Sequence, residues 1–278
     1  VWTLSEPYGA REWWPCKDLN TDKADSVALH VTVDDDMVVA SNGTLDQVTV
    51  PAAGKKTYHW TERYPVATYL ISVTAHPFAT FSDTYVSAAG DSMPLDYFVV
   101  PDQLATAMAS YSVVGPMISA FAGLFGEYPF LNEKYGHAHF PWGGGMEHQT
   151  CSSMLYWWFG EGLISHELAH QWWGDLVTCK DFHHIWLNEG FASWMGTKST
   201  NALNPEWQIW LRANTQKNTA MALDARRTTH PILQPVLNES QASDAFDTIS
   251  YLKGQSFLRM LEAYLGEDTF RAGIRRYI

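Results

Sequence analysis

Two histidines and two glutamates carry the strongest chemical signal in this chain. His166-Glu167-Leu168-Ala169-His170 places two imidazoles four positions apart. On a helix those positions lie about 40° apart around the axis, so both rings project from one face. Two neutral imidazoles at that spacing suit a zinc ion, whose nitrogen bonds are about 2.0–2.1 Å long. Glu167 stands on the same turn, placed to reach a water held by the metal. Downstream, Trp186-Leu187-Asn188-Glu189-Gly190 offers another carboxylate. A turn and the start of a second helix fit between His170 and Glu189, which lets Glu189 return to the metal as a third ligand. Two His and one Glu leave the fourth position open, the arrangement of a catalytic rather than a structural zinc site. Glu189 also sits in an otherwise apolar stretch, where an unpaired carboxylate would be costly. Zinc in such a site acidifies its water and polarises a carbonyl, and Glu167 is the carboxylate that would take up the proton. One Zn²⁺ per chain is expected, held by His166, His170 and Glu189.

The elements that must hold these residues are mainly helical. Apolar spacing predicts helices over about 160–176, 189–200, 205–220 and 250–264. From Asp102, Leu104, Met108, Tyr111 and Ile118 also fall near helical spacing, with Gly115-Pro116 expected to kink or break that helix. Before about residue 95 the pattern is β. Leu29, Val31 and Val33 alternate with polar residues, as do Tyr58 with Trp60 and Tyr69 with Ile71 and Val73; turns fall at Ser41-Asn42-Gly43 and Pro51–Gly54. The expected class is α+β: a β sandwich or curved sheet over residues 1–95, then a mainly helical domain over 96–278 that carries the chemistry.

Composition narrows the partners. The 278 residues are 46% hydrophobic, enough for a sizeable core, and the formal net charge is −12. A polyanion such as nucleic acid would be repelled. No apolar run approaches the roughly 20 residues of a transmembrane helix. The three cysteines Cys16, Cys151 and Cys179 form neither C-x-x-C nor a disulfide ladder; their odd count points to free thiols and leaves the compartment open. Asn42-Gly-Thr and Asn238-Glu-Ser match the short glycosylation pattern. Val1 and the helix-like run Arg275-Arg276-Tyr277-Ile278 read as positions inside a longer protein.

Several separated motifs together resemble the M1 zinc aminopeptidases, the family that includes aminopeptidase N and leukotriene A4 hydrolase. His166-Glu-Leu-Ala-His170-Gln-Trp-Trp-Gly-Asp175 is similar to the family's zinc helix, and Trp186-Leu-Asn-Glu189-Gly-Phe-Ala192 to its third-ligand segment. Gly144-Gly-Met-Glu-His148 resembles the G-x-M-E-N exopeptidase motif, Tyr251-Leu-Lys-Gly254 the segment of the catalytic tyrosine, and Arg11-Glu-Trp-Trp-Pro-Cys-Lys-Asp18 an N-terminal-domain signature. The resemblance implies the end of a β-saddle domain followed by most of a thermolysin-like catalytic domain. It implies that Tyr251 donates to an oxyanion, and that Glu147, with Glu6 five residues before Arg11, binds the free α-ammonium of a peptide. The backbone of Gly144 and Gly145, next to Met146, would then approach the substrate. The implied activity is removal of N-terminal residues. An epoxide hydrolase with residual peptidase activity on the same site and a zinc-binding, non-catalytic receptor domain are the competing readings; intact Glu167 and Tyr251 argue against the latter.

The motif is broken at His148, where the family commonly carries Asn. His148 is expected to orient neighbouring backbone, to touch substrate, or to bind metal. The adjacent pair His183-His184 points in two directions and is expected on the surface or in packing.

Overall fold

The structure, a computed structural model, describes residues 1–226, 229–233 and 239–278. Asn238 therefore lies outside the described residues. In chain order the elements are β1 (Val27–Asp34), β2 (Val38–Ser41), β3 (Thr44–Thr49), β4 (Lys55–Glu62), β5 (Val73–His76), β6 (Ala79–Val86) and β7 (Ser92–Val99). Then come α1 (Leu104–Tyr111), α2 (Val114–Phe125), β8 (Tyr135–Phe140), β9 (Gly145–Met146) and β10 (Ser152–Leu155). Helices complete the chain: α3 (Glu161–Ala169), α4 (Trp186–Leu203), α5 (Ile209–Asp224), α6 (Glu239–Asp244), α7 (Gly254–Leu265) and α8 (Glu267–Tyr277). A β-sheet part thus precedes a helical part, as the sequence pattern indicates. Two compact units divide the chain, residues 1–115 with 129–163 and residues 116–128 with 164–278. Residue 95 falls inside β7.

In the first unit β1, β4 and β3 form an antiparallel sheet with Leu29 opposite Trp60 and Val31 opposite Tyr58. The strict period-2 alternation of β1 turns Val27, Leu29, Val31 and Val33 to one face. That face packs on a core of Trp60, Tyr58, Val39, Ala75, Phe78 and Phe98, where each large side chain contributes about 1.5–3 kcal/mol by leaving water. Asp18 of the N-terminal signature is buried, with φ 55°. The Arg11 side chain and the Thr68 hydroxyl (3.0 Å) both donate to it, so this signature pins a chain reversal.

A five-stranded sheet runs in the order β6-β7-β8-β10-β9, with β7/β8 and β8/β10 parallel. Every residue of β8 is buried, as parallel strands covered on both faces usually are. Its histidines disguise it in the sequence. His139 accepts from Val100 N–H at Nδ1 (3.3 Å) and pairs with the Tyr111 hydroxyl at Nε2 (2.9 Å); burial pushes it down to about 4 and His137 to about 3, so both are neutral core residues. One expected strand is absent: Thr68–Leu70 is a turn of 3-10 helix, and β5 begins only at Val73.

The helices α1 and α2 separate at Ser112-Val113, before Gly115-Pro116 rather than at it. Pro116 then lies in the first turn of α2, where its missing N–H has no intrahelical partner to lose. The stretch 101–125 is long and apolar enough by composition to cross a membrane, yet it is three separate elements. Within the second unit, Phe121 of α2 meets Trp172 (5.5 Å between centroids) and Phe125 meets Trp194 (5.4 Å), the contacts of a core helix. All three cysteines are free thiols.

Also in the second unit, α4 lies against α3 and α7 at backbone distance. A Cβ on Gly196 would stand 3.2 Å from the Ser165 backbone, and one on Gly190 would stand 3.0 Å from Gly254 Cα. Any larger residue at Gly190 would push α4 from α7 and shift Glu189, the residue before it.

Candidate metal centre

The helix α3 carries His166 in its last turn, and His170 follows directly after its end, its N–H still donating to the His166 carbonyl (3.3 Å), so the two imidazoles come together. The helix is shorter than the apolar pattern suggests, ending at Ala169 rather than near 176. Trp172 and Trp173 continue the periodicity in sequence, but the backbone leaves the helix through wide turns, with Asp175 N–H donating to the His170 carbonyl (3.0 Å). Gly174 has φ 135°, a region open essentially to glycine, and a Cβ there would stand 3.2 Å from His170 Nδ1. The turn has a consequence for the site. It brings the Trp173 carbonyl to 2.9 Å from His170 Nδ1. A carbonyl only accepts, so Nδ1 carries the proton and Nε2 keeps its lone pair for a metal.

The long helix α4 starts at Trp186 and carries Glu189 in its first turn. Asn188 Oδ1 accepts from Cys179 N–H (3.2 Å), tying the preceding loop to this helix. Trp173 and Asn188 both fall inside the quoted motifs, but nothing in the sequence assigns these roles to the Trp173 carbonyl or the Asn188 side chain.

The three expected ligand atoms form a near-regular triangle. His166 Nε2 is 3.1 Å from Glu189 Oε2 and 3.1 Å from His170 Nε2, and His170 Nε2 is 3.3 Å from Glu189 Oε2. Zinc bonds of about 2.0–2.1 Å imply tetrahedral edges of about 3.3–3.4 Å, so a cation of that size fits against all three. The electrostatics agree. Burial holds His166 below its usual range and therefore neutral. Burial would raise Glu189, but the His170 and His166 imidazoles outweigh it and hold the carboxyl well below the ordinary range. Two imidazole nitrogens and one carboxylate are the donor set for a dication with open coordination.

Glu167 is buried beside His166, with a carboxylate oxygen within 4.8 Å of a His170 ring nitrogen. Tyr251 lies in the π-helical turn Ile249–Lys253, a distortion that is frequent at functional sites. Its hydroxyl donates to Glu189 Oε1 (2.8 Å), and its ring stacks against His166 (5.9 Å, 22°). The Gly190–Gly254 approach allows this contact, since Gly254 ends that turn. The second unit thus assembles His166, Glu167, His170, Glu189 and Tyr251.

The first unit carries the remaining candidates. Glu6 lies in the turn Glu6–Gly9, half-buried. Gly144 has φ 140° and lies under the Trp142 ring, and Gly145-Met146 is β9, paired with Ser153-Met154 of β10. Glu147 follows, buried. His148 is wholly buried; burial holds it near 3, and Nδ1 bonds the Ser153 hydroxyl (2.8 Å). It is a neutral residue whose ring is tied to the Ser153 side chain of β10. His183 pairs with Asp181 (3.0 Å), and neither it nor His184 joins a group of possible metal ligands among the described residues.

The metal fit yields a test. Metal analysis should find about one zinc per chain, falling to a small fraction in His170→Ala, because a three-ligand site cannot lose a ligand cheaply. Undiminished zinc in that variant would reject the triangle as the binding site.

Known proteins resemble this chain along its whole length. Residues 156–278 match the model of the peptidase family M1 domain, and residues 1–70 match the peptidase M1 N-terminal domain. The chain is 31% identical to the mitochondrial aminopeptidase 2 of Saccharomyces cerevisiae over 99% of its own length and 30% of that protein's. It is 33% identical to a probable aminopeptidase 2 of Sulfurisphaera tokodaii, over 100% of its own length and 37% of that protein's. It therefore spans about a third of these relatives. Among solved structures, an M1 zinc metallopeptidase of Deinococcus radiodurans bound to a Tyr-Ser-Ala substrate superposes with a TM-score of 0.79 at 27% identity, covering 99% of this chain and 61% of that one. Two domain models over well over half the sequence, with relatives along its whole length, make this chain a member of peptidase family M1.

Proposed function

We propose that this chain carries the active site of a zinc aminopeptidase that hydrolyses the first peptide bond of peptides with a free N-terminus. The observation that carries the reading is the triangle of His166, His170 and Glu189 with the Tyr251 hydroxyl against it. Aminopeptidase relatives support it. Zinc, when bound, supplies an acidified water and a Lewis acid for the scissile carbonyl. Glu167 accepts the proton of the attacking water and returns it to the leaving amine. Tyr251 donates its phenol to the oxyanion that develops on that carbonyl. Glu147 and Glu6 accept hydrogen bonds from the substrate's α-ammonium, and the Gly144-Gly145 backbone, lacking Cβ atoms, lets the substrate chain lie close. The test is turnover of an aminoacyl amide by the full-length protein. Activity should disappear on chelation and return with zinc; zinc-loaded protein without turnover would favour a binding role.

The tyrosine gives a sharper expectation. Tyr251→Phe should lower kcat by about 10²–10³-fold with a smaller change in KM, since the donor acts mainly on transition-state charge. Zinc content must be measured alongside, because the same hydroxyl bonds the ligand Glu189. An unchanged kcat with a raised KM would make Tyr251 a ground-state binder.

A further inference from the structure

The segment from Glu147 to Thr150 links β9 to β10, and a buried network in the first unit sets its conformation. Cys151 N–H donates to the His148 carbonyl (3.0 Å), closing a turn. Thr150 is the third residue of that turn and has φ 63°, a left-handed backbone that a β-branched residue adopts only under constraint. The constraint has named parts. Gly43 N–H donates to Thr150 Oγ1 (2.7 Å), and Asn42 Nδ2 donates to the Gln149 carbonyl (2.7 Å). The Lys134 ammonium donates to the Thr150 carbonyl (3.1 Å). Thr150 Oγ1 also lies 2.6 Å from the Gln149 carbonyl and 3.2 Å from Glu62 Oε2. A hydroxyl has one proton. The Gln149 carbonyl and Glu62 Oε2 share it as acceptors, and the Glu62 carboxyl can carry a proton of its own.

Glu62 is built to keep one. It is fully buried, and its Oε1 accepts from Tyr64 N–H (3.1 Å). The Glu133 carboxyl faces it, itself buried and accepting from Arg63 N–H (2.7 Å). Burial first, and then Glu133, push Glu62 up to about 8 against the opposing pull of Tyr64 N–H and Lys134. The Arg63 guanidinium is held outward by Asp46 (2.6 Å).

We infer that Glu62 is a positioning residue for Glu147: as a carboxyl that accepts from Thr150 Oγ1 and gives its own proton to Glu133, it braces the strained turn that aims the Glu147 carboxylate. This rests on the reading of Glu147 as the acceptor of the substrate's α-ammonium. Ionisation of Glu62 in alkali sets two buried carboxylates against each other, the turn relaxes, and amine binding weakens. The α-amine of the substrate titrates in the same range, near 7.7–8.0, so wild type and variant must be compared on one substrate.

The experiment measures KM and kcat for one aminoacyl amide on the full-length zinc-loaded protein, between about pH 6 and 9.5, for wild type, Glu62→Gln, Glu62→Ala and Glu147→Gln. Glutamine donates an N–H to Glu133 and accepts from Thr150 at every pH, so the ratio of wild-type to Glu62→Gln KM should rise about threefold or more above pH 8, which is under 1 kcal/mol. Glu62→Ala should raise KM more than it lowers kcat, with Glu62→Gln restoring it. A flat KM ratio while Glu147→Gln is impaired overturns the positioning role alone; an unimpaired Glu147→Gln overturns the reading beneath it. Thermal melting gives a readout independent of turnover. The native state keeps a proton that the unfolded chain releases near pH 4.3, so wild-type stability, fully supported below that pH, falls relative to Glu62→Gln as pH rises to about 8. Melting curves that stay parallel across that range would overturn the protonated brace.

Discussion

Glu167→Gln is expected to retain its zinc and to lose about 10²–10⁴-fold in kcat, the usual size of a general-base contribution. Glutamine matches glutamate in length and shape, so the buried space beside His166 and His170 stays filled. What it lacks is a site that can take up a proton. None of the ligand atoms of the triangle belongs to this residue, so metal affinity should change little. KM should also change little, because the carboxylate acts on the attacking water rather than on the resting substrate. The measurement pairs metal analysis with steady-state kinetics on the full-length protein. Near wild-type kcat at full zinc would remove Glu167 from the proton path; loss of zinc with loss of rate would make it a structural support instead.

The parts of this site that are readable in the sequence are those set by local geometry. Spacing by four on one helix aligns His166 with His170 whatever surrounds them, and Glu189 follows after an interval that fits a turn and a helix start. The order of β structure before helices is readable for a similar reason, since alternation in β1 and helical periodicity in α7 are local patterns. What long-range packing decides is not readable. Strand β8 hides because His137 and His139 look polar until burial makes them neutral. The end of α3 at Ala169 hides because Trp172 and Trp173 keep the apolar period, although their backbone has already turned to offer a carbonyl to His170. Tyr251 is visible only through its motif. Its contact with Glu189 depends on a π turn and on two glycines, Gly190 and Gly254, that meet across 64 positions of sequence.

A peptide bearing an acetylated N-terminus should be cleaved at least about 10³-fold more slowly, in kcat/KM, than the same peptide with a free amine. The expectation rests on the proposed roles of Glu147 and Glu6. A hydrogen bond from an ammonium to a carboxylate is worth about 1.5–3 kcal/mol net, more than a neutral one. Acetylation replaces a cation with three donors by a neutral amide with one. Two such contacts then amount to about 3–6 kcal/mol, and at roughly 1.4 kcal/mol per tenfold this exceeds two decades. A penalty comes on top, because Glu147 is buried and a neutral amide offsets less of a carboxylate's desolvation cost than a cation does. Glu147→Gln should narrow the gap chiefly by slowing the free-amine peptide, and Glu6→Gln should do so less, since Glu6 is only half-buried. Product analysis by mass spectrometry on the full-length protein reads both substrates at once. Comparable rates for the two peptides, or cleavage at an internal bond of the blocked one, would leave the zinc triangle intact and turn the proposed aminopeptidase into an endopeptidase.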